Sequence, residues 1–277
     1  MTRAYRGDMT TVPPRSILVW SGAISLLVVL ASVAGLADPR VYEQETENWA
    51  TQAKGQDLGN LLAVGVLVVA ALRYRKGSQR AALAWLGTLL YLIYAFIIYA
   101  MAVHLNYLFL VYVAVLGLSA WGVIFTVSHV RSEGIRYPLG RRRTVAAWVL
   151  ISTGGAFAVL WLSELLPALL TGTVPTSLTD AGLWVNPIHV IDLSMVLPGF
   201  IITGIAAVQG REHGLFWLAP WLVFSVLMGS SIIAAMVLMM GSGAANTVPP
   251  TVIVSVVVAA SLLAVRGYLE PPAPPAR

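Results

Sequence analysis

Of the 277 residues in this chain, 58% are hydrophobic and only 10% are charged, against a usual charged share of about 25%. So little charge cannot cover a soluble globule of this size, which makes lipid the solvent. Cysteine is absent, which excludes disulfides, thiolate metal sites and covalent haem attachment. Fifteen arginines stand beside two lysines, a bias expected of a GC-rich bacterial genome.

Uncharged runs near the ~20 residues that a bilayer core requires predict an all-α polytopic membrane protein with eight transmembrane helices, at about 16–37, 57–73, 81–103, 106–128, 144–166, 187–209, 215–239 and 249–266. Span 1 follows Arg3, Arg6 and Arg15 and ends at Gly35-Leu36-Ala37, a pattern similar to a secretion signal. Its apolar run is longer than the ~7–15 residues of such a signal, so it reads as an uncleaved span. The uncharged part of span 2, Leu58 to Leu72, covers about 22 Å at 1.5 Å per residue. That is short of a ~30 Å hydrocarbon core and draws Asp57 into the outer membrane edge. Spans 3 and 4 divide at His104-Leu105-Asn106, and span 5 runs from Arg143 to Glu164. Span 6 opens with Asn186 as N-cap and Pro187 at the first helical position, and Pro198-Gly199 interrupts its middle. The segment GSGAANTVPP, 241–250, separates spans 7 and 8, and the proline-rich tail 269–277 reads as disordered.

The loop charges fit eight spans. Basic residues gather in alternate loops, as cytoplasmic loops require. The N-terminus, 73–80, 129–143, 210–214 and the C-terminus hold fifteen of the seventeen, leaving Arg40 and Lys54 on the other side. With four acids on the first side and eight on the second, the two faces carry +11 and −6. The basic balance is therefore a topology signal and not a nucleic-acid footprint. It predicts a cell (inner, cytoplasmic) membrane protein with both termini in the cytoplasm, and Arg141-Arg142-Arg143 as an orientation anchor.

An internal repeat is also legible. RSILVW (15–20) matches RTVAAW (143–148) at an offset of 128, which also lays Pro39 on Pro167. At 135, Asp57-Leu58 falls on Asp192-Leu193, Leu62 on Leu197 and Lys76 on Arg211; at 136, Trp85-Leu86 falls on Trp221-Leu222. Spans 1–4 and 5–8 would then form a parallel 4+4 pseudo-repeat about the membrane normal, with Asp57 and Asp192 as facing twins.

Ionisable residues within spans usually face the bundle interior and mark function. The candidate ion, proton or substrate site comprises Asp57, Asn60, His104, Asn106, Glu164, His189 and Asp192, all near the outer membrane edge. His189 and Asp192 are three residues apart on one helical face, as are Asp57 and Asn60. His189 is the third helical residue of span 6, where the helix dipole disfavours imidazolium. Pro198 and Gly199 are the candidate gate, since proline strips the Ser194 carbonyl of its helical partner. Each has a plainer alternative: a headgroup contact for Glu164, a turn for His104, a packing kink for Pro198-Gly199. Tyr91, Tyr94 and Tyr99 either carry a hydroxyl chain toward His104 or serve as aromatic core.

No phosphate-binding loop, GxGxxG, HExxH or GxSxG occurs, and the longest outer loops, about 38–56 and 167–186, are too short to carry chemistry alone. Three readings follow. A secondary transporter or permease for a small solute, ion or metal would bind its cation or coupling proton at Asp57 and Asp192. A membrane-embedded enzyme would hold a divalent metal such as zinc through His104, Glu164, His189 and Asp192, with Asp57 as base, or haem between two histidines. A structural or accessory subunit would use the surface toward a complex partner or a second copy of the chain.

Overall fold

The structure, a computed structural model, describes residues 14–132, 135–241 and 247–270. Among them there is no strand, and eight helices are long and apolar enough to cross a membrane: Pro14–Ala37, Glu47–Arg75, Gln79–Ala102, Phe109–Ser132, Arg141–Thr171, Pro187–Val208, Glu212–Gly241 and Val248–Leu269. These are spans 1 to 8 of an all-α polytopic membrane protein. Arg3, Arg6, Asp8, Glu133 and residues 271–277 of the proline-rich tail lie outside the described residues.

The largest departure from the expected boundaries is in span 2. It begins at Glu47, not Asp57, because Thr46 caps it by accepting the amide of Trp49 at 3.2 Å. Local capping sets the helix start, so the helix takes in the polar residues that precede its uncharged run. Asp57 consequently stands ten residues into the helix, or about 15 Å at 1.5 Å per residue, and is only 1% exposed. Span 5 also outruns its expected limits and carries Pro167 in its last turns, and a short helix, Thr176–Ala181, lies in the loop that follows. Span 6 opens as expected, with the Asn186 side chain accepting the Ile188 amide at 2.9 Å and Pro187 at the first position.

The basic helix ends meet at one end of the bundle, the basic end, where Arg131 lies 3.8 Å from Glu212 and Arg142 3.4 Å from Glu270. At the opposite, acidic end the loop after span 1 is bound to the loop between spans 3 and 4. Tyr107 donates to Asp38 at 2.7 Å, Asn106 donates to the Val41 carbonyl at 3.2 Å, and the His104 amide donates to Glu45 at 2.7 Å. Thr46 extends this rim by donating to the Asp180 carbonyl at 2.8 Å.

The two halves share one neighbour scheme. Spans 1 and 2, 2 and 3, 3 and 4, and 4 and 1 pack together, and the same ring recurs through spans 5 to 8. Side-chain roles do not recur with it. Trp20 donates to the Leu118 carbonyl at 2.8 Å, while its sequence counterpart Trp148 is exposed. The junction between halves is lopsided too. Spans 2 and 7 approach until a Cβ on Gly55 would lie 2.2 Å from the Ala235 Cα, and one on Gly59 2.3 Å from the Ser231 Cβ. The symmetry-related pair, spans 3 and 6, meets mainly through the first turns of span 6. That open junction leaves a space in the bundle.

Candidate functional site

Span 3 is the most buried helix of the eight and stands between the two polar clusters. Tyr94 and Tyr99 are five residues apart on it, which turns them about 140° from each other at ~3.6 residues per turn. Tyr99 serves Asp57 in the first half and Tyr94 serves Asp192 in the second.

The Asp57 carboxylate accepts the Tyr42 hydroxyl at 2.7 Å on one oxygen and the Tyr99 hydroxyl at 2.8 Å on the other. The Ser32 hydroxyl stands beside it. Gly35 makes room for it: a Cβ there would stand 2.2 Å from Oδ2 of Asp57 and 2.6 Å from the Tyr42 hydroxyl. Tyr42 belongs to the rim loop, and burial, then the neighbouring carboxylate, push its phenol well above the ordinary value, which keeps it a donor. From Asp57 the hydrogen bonds continue sideways. Asn60 donates to Tyr99 at 3.4 Å and to Ser32 at 3.2 Å and accepts from Tyr91 at 3.1 Å; Gln56 donates to Tyr91 at 2.6 Å and accepts from Ser231 of span 7 at 3.2 Å. The expected tyrosine chain therefore exists in part, but it serves Asp57 and crosses to span 7 without reaching His104.

The second cluster matches two i,i+3 pairs across antiparallel helices. His189 and Asp192 of span 6 face Glu164 and Trp161 of span 5. Asp192 accepts the Trp161 indole N–H at 2.8 Å, and His189 Nε2 lies 3.9 Å from the Glu164 carboxylate with its ring 4.6 Å from that of Trp161. Glu164 is fixed from its other side by the Ser177 hydroxyl, and Tyr94 of span 3 stands next to Asp192. His189 and Asp192 are 6% and 8% exposed, so both point into the bundle.

The backbone at Asp192 is unusual. Residues Asp192–Val196 form a π-turn, in which the Leu197 amide reaches the Asp192 carbonyl. The wide turn absorbs the proline that follows it, so the helix is re-registered and not broken. Gly199 serves packing: a Cβ would lie 2.9 Å from the Trp221 ring of span 7.

The open junction holds a cavity of about 490 Å³ that runs from mid-span, at Thr153, Phe200 and Ser225, to the acidic end, at Trp49, Val103 and Met239. Its walls are mostly aromatic, aliphatic and methionine side chains, interrupted by Asp192, Gln52, Gln56, Tyr94, Tyr99 and Ser231. Asp192 thus touches the cavity directly, while Asp57 is joined to it through Tyr99. Among the described residues, no Lys, Arg or His forms an ion pair with either aspartate.

The expected single cluster is thus divided. The structure brings together Asp57 with Asn60, and Glu164 with His189 and Asp192, but not the two aspartates, whose partners are separate. His104 belongs to neither: its Nδ1 is 3.0 Å from Glu45 at the rim. Asn106 is a turn residue whose side chain accepts the Leu108 amide at 2.9 Å. His104 stands apart from Glu164, His189 and Asp192, so the four proposed metal ligands do not converge, and among the described residues no three of His, Asp and Glu are placed to hold a metal ion. Sequence reasoning passed over Trp161, Gln56 and Tyr42. Trp161 stands three residues before Glu164, and Gln52, Gln56 and Asn60 form a stripe at four-residue spacing, so those two were legible. For Tyr42, in a loop, there was no signal. Comparison with protein-family models, with curated proteins and with solved structures finds no match.

Proposed function

We propose that this chain is a secondary transporter or permease of a small solute, with the cavity between its halves as the binding site. The observation that supports this reading is the cavity itself, of drug-like volume, with a carboxylate in its wall that no cation among the described residues neutralises. A buried carboxylate of this kind costs several kcal/mol if left charged, and exchange of a proton or a cation is what relieves it. The acidic end faces outward in this reading, on the loop charges, and the cavity extends to that end. The moving part is span 6, because its π-turn carries Asp192 and π-turns are frequent at functional sites. Asp57 and its hydroxyl chain hold a second exchangeable proton beside the cavity. The metalloenzyme reading loses its ligand set with His104, and a static accessory subunit gives no role to Asp192.

Alternating access is the discriminating property. The chain lacks cysteine, so Ser225→Cys or Thr153→Cys places a single thiol at the cavity floor. A membrane-impermeant maleimide should label it from the outside in right-side-out vesicles and from the inside in inverted ones. Labelling from one side only, at both positions, would overturn the transporter reading in favour of a fixed cavity.

A further inference from the structure

We propose that the solute is a lipophilic organic monocation, and that it exchanges with a proton at Asp192. This rests on the transporter reading for its physiological meaning, but the recognition chemistry stands on the cavity alone. Among the described residues, Asp192 is the only carboxylate in the wall and no Lys, Arg or His lines it, so they offer one negative charge and none of the opposite sign. Its hydrogen-bond donor, the Trp161 indole, and the neighbouring Tyr94 hydroxyl are both neutral. They orient the carboxylate without cancelling its charge.

The rest of the wall suits the body of such a cation. Tyr94, Phe157, Trp161, Phe200 and Phe224 all line the cavity, and Phe200 and Phe224 meet edge to face at 5.9 Å. Aromatic faces attract a cation through their quadrupole, most strongly where water is excluded. An anion would meet the carboxylate and the negative ring faces together. A strongly hydrated small ion would gain little from the aromatic and aliphatic side chains that make up most of the wall.

Proton and cation compete because one carboxylate cannot hold both. The groups facing Asp192 are His189 on its own helix, Glu164 from span 5 and Tyr94 from span 3. Span 7 brings none, since its Glu212 and His213 lie at the basic end, and so do Arg266 and Tyr268 of span 8. Glu164 takes the Ser177 hydroxyl and is not among the residues that line the cavity, whereas Asp192 is, which makes Asp192 the group that meets the cation. Binding of the cation releases the Asp192 proton to water, and protonation of Asp192 expels the cation.

Equilibrium binding to the purified protein in detergent tests this with three probes: tetraphenylphosphonium, its isosteric anion tetraphenylborate, and neutral triphenylphosphine oxide. Tetraphenylphosphonium should bind one per chain and better than either of the others, with affinity falling up to tenfold per unit of pH below the carboxyl's titration. One proton should appear per cation bound at the acidic end of that range, which wild-type protein alone can show. Asp192→Asn should weaken the cation at least tenfold and flatten the pH dependence, with folding checked by gel filtration. Equal binding of the neutral or anionic probe, absence of proton release, or a pH dependence that survives in Asp192→Asn would each overturn the proposal. None of those results bears on two-sided labelling of Ser225→Cys. Conversely, one-sided labelling with selective, proton-linked cation binding would sink the transporter reading and leave the ligand class intact.

Discussion

Replacing Gly55 by alanine adds one methyl group where two helices already touch. The new Cβ would lie 2.2 Å from the Cα, and 2.4 Å from the Cβ and the amide nitrogen, of Ala235. Two of those three atoms are backbone, so no rotamer change relieves the overlap. Ordinary contact begins near 3.4 Å, which means that spans 2 and 7 must separate locally by about 1.2 Å and disturb the neighbouring Gly59–Ser231 approach. Overpacking of this kind costs about 1–3 kcal/mol, and contact with backbone puts Gly55→Ala at the upper end. Gly65 supplies the control: it is on the same helix, with nothing within 4 Å of its virtual Cβ. There alanine should gain about 0.5–1 kcal/mol by restricting the unfolded backbone. The two variants should therefore differ by about 3 kcal/mol, roughly two decades in the unfolding constant. Unfolding in mixed micelles with increasing dodecyl sulfate, followed by tryptophan fluorescence, measures that difference. If Gly55→Ala unfolds with wild-type behaviour, or if Gly65→Ala loses as much as Gly55→Ala, the close junction between the halves is wrong.

Tyr42→Phe removes a 2.7 Å hydrogen bond to the buried Asp57 and should cost about 1.5–3 kcal/mol in the same assay; wild-type stability would mean that the rim loop does not reach Asp57. The Arg40 guanidinium and then the Tyr107 hydroxyl hold the Asp38 carboxyl well below the usual range. Its contribution to rim order is therefore complete above the unfolded pKa of ~3.9 and is lost only as pH falls through the depressed folded value. Hydrogen exchange in 38–42, corrected for intrinsic rates, should stay flat from about pH 8 to 5 and rise only below about 4; in Asp38→Asn that acid step should vanish. Reporter fusions at 78, 138 and the C-terminus should read cytoplasmic and those at 50 and 175 the outer side, and a periplasmic C-terminus would refute the charge argument.

The sequence by itself determined the class, the number of helices and the way they alternate. Those follow from the length of apolar runs and the distribution of Arg and Lys, and both are properties of the chain taken locally. It also pointed Asp57, His189 and Asp192 into the bundle, because ionisable residues within spans usually face the interior, and all three are buried. What it could not decide was company. The repeat pattern made Asp57 and Asp192 facing twins, yet each is held by its own tyrosine of span 3, because a five-residue step on a helix turns Tyr94 and Tyr99 to different sides. Glu164 joined His189 as the spacing allowed, while His104, equally eligible by sequence, was captured by Glu45 at the rim. The cavity was invisible for the same reason. It exists because Gly55 and Gly59 draw spans 2 and 7 together and no such pair closes spans 3 and 6, and a distance between helices far apart in the chain is set only when all eight pack at once.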